Sequence, residues 1–256
     1  MKIVLLGSGN VATQMGKAFS LHGHQVLQVY SKTKANADAL ASVFGAPSIA
    51  DLKDLALDAD LYLLAVSDSA IASLAAAMPM PQHGIVCHCS GATDLAVLNR
   101  FAKQAVIYPP QSLSKNVETH LQDIPFALEA NSPEVLHSLF GFMQELAPKS
   151  FASNSAQRLA LHVAAVFANN FSNLLFQISE DILNAHNLPF ELLRPIILET
   201  AQKVQSHSPA EVQTGPAIRG DQQTLNTHLN FLSENSHWVK IYQQLSEEIR
   251  IKSDSD

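Results

Sequence analysis

Apolar residues in the first part of the chain fall into short runs separated by segments with helical spacing. Residues 2–6 form an apolar run that stops at a glycine, as expected of a parallel strand buried on both faces. Residues 11–22 place apolar side chains at helical spacing, and Gly23 ends that segment. The alternation continues and predicts strands at 25–30, 48–49, 60–66, 85–89, 105–108 and 124–129, and helices at 34–44, 71–77, 95–103 and 133–146. Such alternation indicates βαβ units in a doubly wound, mostly parallel sheet.

The pattern changes near residue 150. A helical stretch from 158 to 187 contains no glycine or proline, and a second helix follows Pro189 and runs to about 206. A loop with Gly215 and Gly220 leads to two more helices, at 222–234 and 237–250. The predicted fold class is therefore α/β plus all-α, with an α/β domain over residues 1–150 and a helical domain over 151–256.

Composition restricts the possible partners. The chain is 47% hydrophobic and 15% charged, which excludes disorder as its main state. A net charge of −7 argues against nucleic acid as a partner, because phosphate-backbone binding needs clustered cations. Cys87 and Cys89 are one residue apart, a spacing that is poor for a disulfide and suits a reducing compartment. No stretch approaches the roughly 20 apolar residues of a membrane span, so we expect a cytoplasmic protein without a membrane partner.

A glycine-rich motif lies between the first predicted strand and helix. Residues 7–12 read Gly-Ser-Gly-Asn-Val-Ala and fit the dinucleotide fingerprint G-x-G-x-x-[GA] in its required βαβ context. The first glycine allows a tight turn, the second lets the backbone approach a pyrophosphate, and Ala12 allows close helix–strand packing. The sequence therefore predicts a Rossmann-type site in which the cofactor is bound by Gly7, Ser8, Gly9, Asn10, Val11 and Ala12.

The end of the second strand indicates which dinucleotide is bound. NAD sites usually place an acidic residue there to hold the ribose diol, whereas this chain has Ser31, Lys32 and Thr33. Hydroxyl groups and a lysine suit a 2′-phosphate, so NADP is favoured over NAD. The alternative is that the lysine only solvates the start of a helix.

Two further strand ends are expected to line the same cleft, because ligands bind at the carboxyl edge of such sheets. The first supplies Ala65, Val66, Ser67, Asp68 and Ile71, and the second supplies Ser90 and Gly91. Ser90 has two interpretations: it hydrogen-bonds a cofactor or substrate carbonyl, or it caps a helix.

These motifs together resemble a known family. The succession GSGNVA, YSKT, LLAVSDSAI, HCSGATDLAVL, YPPQSLS, LHVAAVFANNF and GPAIRGD resembles Rossmann-like proteins whose C-terminal half is the domain of unknown function 2520. That family is similar to pyrroline-5-carboxylate reductases and β-hydroxyacid dehydrogenases. The resemblance implies an NADP-dependent oxidoreductase with a helical domain that forms a homodimer, and it names no substrate.

The long helix carries the candidate catalytic residues. β-Hydroxyacid dehydrogenases use a lysine on this helix, but residues 158–187 contain none. In an ideal α-helix His162, Asn169 and Asn173 share one polar stripe, which serves either a reactive cleft or a hydrogen-bonded helix interface. The family resemblance points to His162 and Asn170. A histidine is a suitable proton donor to a carbonyl or imine, since free histidine has a pKa near 6.5.

The loop at 215–221 supplies a second candidate. Arg219 could clamp a substrate carboxylate with two hydrogen bonds, in the same or the partner subunit. In the alternative, Asp221 caps the next helix and Arg219 is its salt-bridge partner.

Two function classes remain. The first is an NADP-dependent oxidoreductase that acts on a small carbonyl or imine compound, with Ser90, His162, Asn170, Arg219 and Asp221 as catalytic candidates. The second is a regulatory or scaffold protein that binds NADP without catalysis. The scattered histidines do not form a metal-ligand pattern, and we expect no metal site.

Overall fold

The computed structural model describes residues 1–117 and 119–253. It divides the chain into two compact units, Met1–Asn170 and Phe171–Asp256. The first turns of the long helix, including α5, belong to the first unit, and the predicted domain boundary at 150 stays a prediction.

The first unit is built on one sheet. Within the described residues, its strands are β1 (Lys2–Leu6), β2 (Gln25–Tyr30), β3 (Ser48–Ile49), β4 (Leu61–Leu64), β5 (Ile85–His88), β6 (Gln104–Tyr108), β7 (Ala127–Ala130) and β8 (Phe151–Ala152). They are ordered β3-β2-β1-β4-β5-β6-β7-β8. Neighbours from β3 to β6 are parallel, β7 runs antiparallel to β6, and β8 is parallel to β7. This confirms the predicted mostly parallel sheet.

Helices cover both faces of the sheet, as a doubly wound fold requires. They are α1 (Asn10–Leu21), α2 (Lys34–Phe44), α3 (Asp68–Ala77), α4 (Pro133–Met143) and α5 (Ser155–Ala165). Ile3 and Leu5 of β1 pack in the core cluster that holds α1, α2 and α4 residues. Val4 and Leu6 point to the opposite face, where they pack with α3 residues. The alternation explains why β1 reads as a continuous apolar run.

Two elements of the first unit differ from the sequence prediction. The helix expected at 95–103 is a 3₁₀ turn over Leu95–Leu98, capped by Asp94. A longer helix would leave no residues to return the chain to β6, which begins at Gln104. The two-residue strand β8 was not predicted, because so short a segment carries no period.

The long helical segment is interrupted. It begins at Ser155, where Asn154 and Gln157 form a reciprocal capping box, and α5 ends at Ala165. A π-helical turn follows over Val166–Phe171, and α6 (Ser172–Ala185) continues after it. A π turn takes in about one extra residue, so the regular spacing assumed for 158–187 does not hold across it.

The second unit is helical, as predicted. It contains α6, a 3₁₀ turn (Phe190–Leu193), α7 (Arg194–Lys203), α8 (Gln222–Phe231) and α9 (Ser236–Ser253). Among its residues whose exposure is described, 171–252, only Ala217 is buried. Leu192, Ile196 and Leu198 are each more than half exposed. A helical unit of this size with almost no buried apolar side chain lacks a core of its own.

The segment Ser155–Ala185 is also long and apolar enough to cross a membrane by length and composition alone. This differs from the expectation that no stretch of the chain is apolar enough to span a membrane. Among the described residues, the most apolar part of the segment is not buried.

A buried charge fixes α5 against the sheet. The Arg158 side chain is 1% exposed and forms an ion pair with Glu129 of β7, which is 13% exposed. The guanidinium also donates to the carbonyl oxygens of Ser90, at 3.1 Å, and Thr93. Each of these acceptors offsets part of the cost of burying the charge. Sequence analysis did not single out Arg158, because nothing in the apolar pattern distinguishes it from a solvent-exposed arginine.

A buried histidine lies near this charge. His88 is fully buried on β5, and its Nδ1 accepts a hydrogen bond of 3.2 Å from the backbone N–H of Ser90. Its Nε2 has no hydrogen-bond partner. Burial, and then the charge of Arg158, lower the pKa of His88 to about 4. Asp94 acts in the opposite direction and raises this pKa, but by less. His88 is therefore neutral in the folded protein at neutral pH.

The ion pair gives a first prediction. Replacing Arg158 with Met leaves Glu129 poorly solvated and unpaired, and should lower the free energy of unfolding by about 3–5 kcal/mol. Urea unfolding measures this change. The matched control is Lys149→Met, which breaks the exposed Lys149–Asp123 pair and should have no measurable effect. Equal stability of the two variants would contradict a structural role for the Arg158 ion pair.

The second prediction concerns acid stability. The unfolded chain protonates His88 near pH 6.5, whereas the folded protein resists protonation to about pH 4, so the unfolded state binds more protons between these values. Stability should therefore fall as pH is lowered through this window, and His88 should account for about 2 kcal/mol between pH 7.5 and 5.

Urea unfolding at both pH values tests this contribution. His88→Asn, which keeps an acceptor for Ser90, should reduce the acid dependence. The exposed-site variant His137→Asn should leave it as in the wild type. An unaltered acid dependence in His88→Asn would show that other groups cause it.

Candidate active site

A cavity of about 500 Å³ opens at the carboxyl ends of the central strands. It lies where β1 and β4 are neighbours and the strand order reverses, the position at which doubly wound sheets bind ligands. Most of the predicted cofactor-binding residues line it: Gly7, Ser8, Gly9, Asn10, Val11, Ser31, Lys32, Ala65, Val66, Ser67 and Asp68.

The first glycine of the motif is required by the protein itself. Gly7 has φ +125°, a conformation that favours glycine, and a Cβ there would overlap the carbonyl group of Ala65. Its N–H donates to the carbonyl oxygen of Tyr30 at 2.8 Å. Gly7 therefore lets the ends of β1, β2 and β4 approach closely.

The second glycine of the motif, Gly9, is required neither by its backbone conformation nor by a neighbouring atom. Gly9 has φ −79°, and a Cβ there would have no neighbour within 4 Å. Gly9 is the N-cap of α1, where no side chain caps the helix and the first turn carries no acidic residue. The open space, together with the uncapped amide groups of the helix, fits the approach of a dinucleotide pyrophosphate.

Ala12 has the packing role that the motif predicts. It is fully buried in the core beneath α1 and does not line the cavity. One turn later, Gly16 makes an even closer contact, because a Cβ there would lie 2.8 Å from Leu5 and 2.6 Å from Phe44. The α1 helix thus approaches the sheet through small residues.

The end of β2 holds a lysine without an ion-pair partner. Ser8 and Ser31 hydrogen-bond to each other through their hydroxyl groups at 3.1 Å. Lys34 forms an ion pair with Asp38, whereas Lys32 lines the cavity and pairs with no described acidic residue. Thr33 is the exposed N-cap of α2, has no side-chain capping bond, and does not line the cavity. Lys32 is therefore available to an anionic ligand.

The end of β4 matches the prediction except at one residue. Helix α3 begins at Asp68, which brings Ser67 and Asp68 to the cavity wall. Ile71 is instead 1% exposed in the core and does not line the cavity. The cavity also includes Tyr30, Ala70, Leu74 and Cys89, which sequence analysis did not propose. Tyr30 and Cys89 are the last residues of predicted strands, which was the available signal, whereas Ala70 and Leu74 lie on α3.

The hydroxyl group of Ser90 closes a turn and caps no helix, because the N-cap of the 3₁₀ turn that follows is Asp94. It is 4% exposed, and its Oγ accepts hydrogen bonds from the N–H groups of Ala92 at 3.2 Å and Thr93 at 2.9 Å. It does not line the cavity, although its neighbour Cys89 does. The Oγ of Ser90 thus serves a turn within the protein, and its contact with cofactor or substrate stays a prediction.

Gly91 lies directly against the side chain of His162, the candidate proton donor. A Cβ on Gly91 would lie 2.7 Å from Cβ and Cγ of His162 and 2.8 Å from Nδ1. Only a glycine allows the ring this close to the backbone. The Nδ1 of His162 is also 3.0 Å from the hydroxyl group of Tyr108, the last residue of β6. Gly91 was expected to line the cavity. It does not line it, and it contacts His162 instead.

The asparagines of the long helix differ in their contacts. Asn169 donates a hydrogen bond of 2.6 Å to Ser112, in the loop after β6. Asn170 lies in the π-helical turn and is exposed. The α-helical geometry that grouped Asn173 with His162 and Asn169 does not apply across this turn.

In the second unit, Asp221 caps α8. It accepts hydrogen bonds from the backbone N–H of Thr224 at 3.1 Å and from its hydroxyl group at 2.7 Å. These bonds, more than the charge of Arg219, lower the pKa of Asp221. Arg219 is exposed and forms no ion pair within the described residues, so the predicted Arg219–Asp221 salt bridge is absent.

Metal ligands do not cluster in the described ranges, where no three His, Cys, Asp or Glu side chains converge. Cys87 packs in the core, Cys89 borders it, and both are free. Burial raises the pKa of the Cys89 thiol to about 12, so Cys89 is uncharged at the cavity wall.

Several solved structures match nearly the whole chain. A Bacteroides fragilis protein provisionally assigned as an NADP oxidoreductase is 35% identical, with a TM-score of 0.89 over 97% of both chains. The 1-pyrroline-5-carboxylate reductase of Streptococcus pyogenes is 16% identical, with a TM-score of 0.68 over 100% of this chain and 99% of that one.

A reductive aminase of Aspergillus terreus, solved with NADPH and ethyl-5-oxohexanoate, is 16% identical, with a TM-score of 0.73 over 96% of this chain and 92% of that one. The last two similarities show the fold alone. No curated protein is detectably similar in sequence.

Family models account for both parts of the chain. Residues 1–110 match the Rossmann-like domain, and residues 124–249 match the domain of unknown function 2520. Together with the 35% identity over nearly the full length, these matches assign the chain to a family. The protein belongs to the Rossmann-like family with a C-terminal domain of unknown function 2520.

Proposed function

We propose that the protein is an NADP(H)-dependent reductase of a small carbonyl or imine compound, with His162 as the proton donor. One observation carries this proposal: the residues that follow β5 both line the nucleotide cavity and contact His162. Cys89 lines the cavity, and Gly91, two residues later, contacts the imidazole. A bound dinucleotide and the histidine would therefore be close enough to act on one substrate.

The cavity supports NADP in preference to NAD. Gly9 and the start of α1 would bind the pyrophosphate, while Lys32 and the hydroxyl group of Ser31 would bind the 2′-phosphate. No acidic residue follows β2 to hold the ribose diol of NAD. The nicotinamide supplies or accepts the hydride when it is bound.

His162 supplies the proton in the reductive direction. Reduction of a C=O or C=N group adds a hydride to carbon and a proton to oxygen or nitrogen, and imidazole is suited to donate that proton near neutral pH. Asn170, in the π-helical turn after α5, and Arg219, on the loop before α8, remain proposed substrate ligands. Asp221 supports the Arg219 loop by capping α8.

A second candidate function is binding without catalysis. Residues 158–187 contain no lysine, so the proton donor of β-hydroxyacid dehydrogenases is missing. A scaffold protein would bind NADPH and leave it unoxidised with every substrate.

We also propose that the protein is a cytoplasmic homodimer joined through its C-terminal helices. The second unit buries only Ala217 in its described part, so its apolar side chains need another surface. A second copy supplies equivalent apolar helices, whereas a membrane would have to accept the polar His162, Asn169 and Asn170 as well. Two free cysteines suit the reducing cytoplasm.

The third prediction tests cofactor preference. Lys32→Ala should raise the Kd for NADPH about tenfold and leave the Kd for NADH unchanged, because only NADPH carries the 2′-phosphate. Fluorescence titration measures both constants. Lys34→Ala is the matched control and should change neither, since Lys34 is paired with Asp38. Equal wild-type affinities for NADH and NADPH would refute the proposed phosphate contact.

The fourth prediction tests catalysis. His162→Gln should lower kcat about 10²- to 10⁴-fold without changing the Kd for NADPH, because the proton donor is lost while the nucleotide cavity is kept. NADPH oxidation would be followed with 1-pyrroline, 1-pyrroline-5-carboxylate and small ketones, so that a preference for the carboxylate also tests Arg219. Tight NADPH binding without oxidation of any substrate would favour the scaffold function.

The fifth prediction tests the dimer. Sedimentation of the wild type at micromolar concentration should show a dimer, and Ile196→Glu in α7 should shift it to monomer. Leu21→Glu, at an 84% exposed position of the first unit, is the control and should remain dimeric. A monomeric wild type would rule out the proposed assembly.

A further inference from the structure

We propose that Tyr108 is a positioning residue that holds His162 through Nδ1, so that Nε2 is the nitrogen left to donate the proton. This inference rests on the proposed role of His162 in reduction. From the strand pattern alone, Tyr108 is only a core residue at the end of β6. The inference gives it a specific function, which is to hold the imidazole of His162.

The contact involves both the polar and the apolar parts of Tyr108. Its hydroxyl oxygen lies 3.0 Å from Nδ1 of His162, and the two rings meet edge to face with centroids 5.8 Å apart and planes at 81°. Such ring geometry is favourable for aromatic pairs. The imidazole is therefore held by one hydrogen bond and one ring contact to the same side chain.

Gly91 restricts the imidazole at a second place. Its Cα is so close that a Cβ would lie within 2.8 Å of Cβ, Cγ and Nδ1 of His162. Both restraints act at the Cβ–Cγ–Nδ1 edge of the ring. The Nε2 atom, at the far end, has no hydrogen-bond partner within the described part of the chain.

Tyr108 is itself rigidly held. It ends β6, pairs with Ala127 of β7, and is 7% exposed. It packs in a small apolar cluster with Val106 and Ala127, and Leu161, the residue before His162, packs against that cluster. A side chain fixed on a central strand can hold an imidazole more accurately than a loop residue can.

The phenol suits both charge states of the imidazole. Burial, and secondly the charge of Asp68, raise the pKa of Tyr108, so its hydroxyl group stays protonated at neutral pH. A hydroxyl group can donate to Nδ1 of a neutral ring or accept from the Nδ1–H of a charged one. The contact therefore persists when His162 gains or loses its proton.

The proton balance assigns no proton to Tyr108. The charged imidazole carries protons on both nitrogens, and the one on Nε2 passes to the substrate oxygen or nitrogen as hydride from reduced nicotinamide reaches carbon. His162 is left neutral, with its remaining proton on Nδ1 donated to the Tyr108 oxygen. Solvent then restores the Nε2 proton.

The test compares two substitutions, each of which removes the hydroxyl group of a buried tyrosine. Tyr108→Phe keeps the ring in its cluster but removes the contact with Nδ1. Tyr62→Phe is the matched control, because its hydroxyl group bonds the backbone of Ala56 and Ala59 and lies outside the nucleotide cavity. Long-range ¹H–¹⁵N spectra at fixed neutral pH would report the histidine nitrogens, with His162 assigned from His162→Gln.

We expect the Nδ1 resonance of His162 to shift in Tyr108→Phe and to stay in place in Tyr62→Phe. In the reductive direction kcat should fall about 10- to 100-fold in Tyr108→Phe alone, with the Kd for NADPH unchanged. An unshifted Nδ1 resonance, or a shifted one with unchanged kcat, would overturn the inference. Absence of reductase activity in the wild type would instead defeat the proposed function, and the spectra would still decide whether Tyr108 holds the ring.

Discussion

The burial of one arginine determines how the candidate site is assembled. Arg158 carries its charge into the first unit, where Glu129 and the carbonyl groups of Ser90 and Thr93 surround it. A buried charge without these partners would cost several kcal/mol, so α5 has little freedom to lie elsewhere. His162 follows one helical turn later on the same face, and the turn that binds Arg158 also contains Gly91. The ion pair between Arg158 and Glu129 therefore places the imidazole of His162 against Gly91.

The glycines of the first unit act in three different ways. Gly7 is needed because backbone approaches backbone, and Gly91 because an imidazole lies against the chain. Gly9 has free space around it and an ordinary φ, so the protein alone does not explain it. Under the proposed function, this open space at the start of α1 lets a dinucleotide approach the backbone. This distinction separates the glycine that the turn requires from the glycine that the proposed function assigns to the cofactor.

Much of the first unit could be predicted from the sequence, because local patterns determine it. Apolar runs of period one or two located the strands, and the glycine motif located the cavity, since both depend on residues that are neighbours in the chain. The errors occurred where distant residues intervene. The turn at 95–98 ends early because the chain must return to β6. Tyr108 and Arg158 escaped notice because their partners are more than 25 residues away in sequence.

The sequence by itself determined the order of elements, the helical C-terminal part, the dinucleotide motif and the lysine after β2. These follow from short-range spacing and from residue chemistry. Only the tertiary structure decided that His162 rests on Gly91 and bonds Tyr108, that Asp221 caps a helix, and that Arg158 is buried. It also introduced the π-helical turn, which altered the spacing assumed for the asparagines. The physical reason is that side-chain burial and hydrogen-bond partners depend on which strand ends meet, and periodicity along one segment does not contain that information.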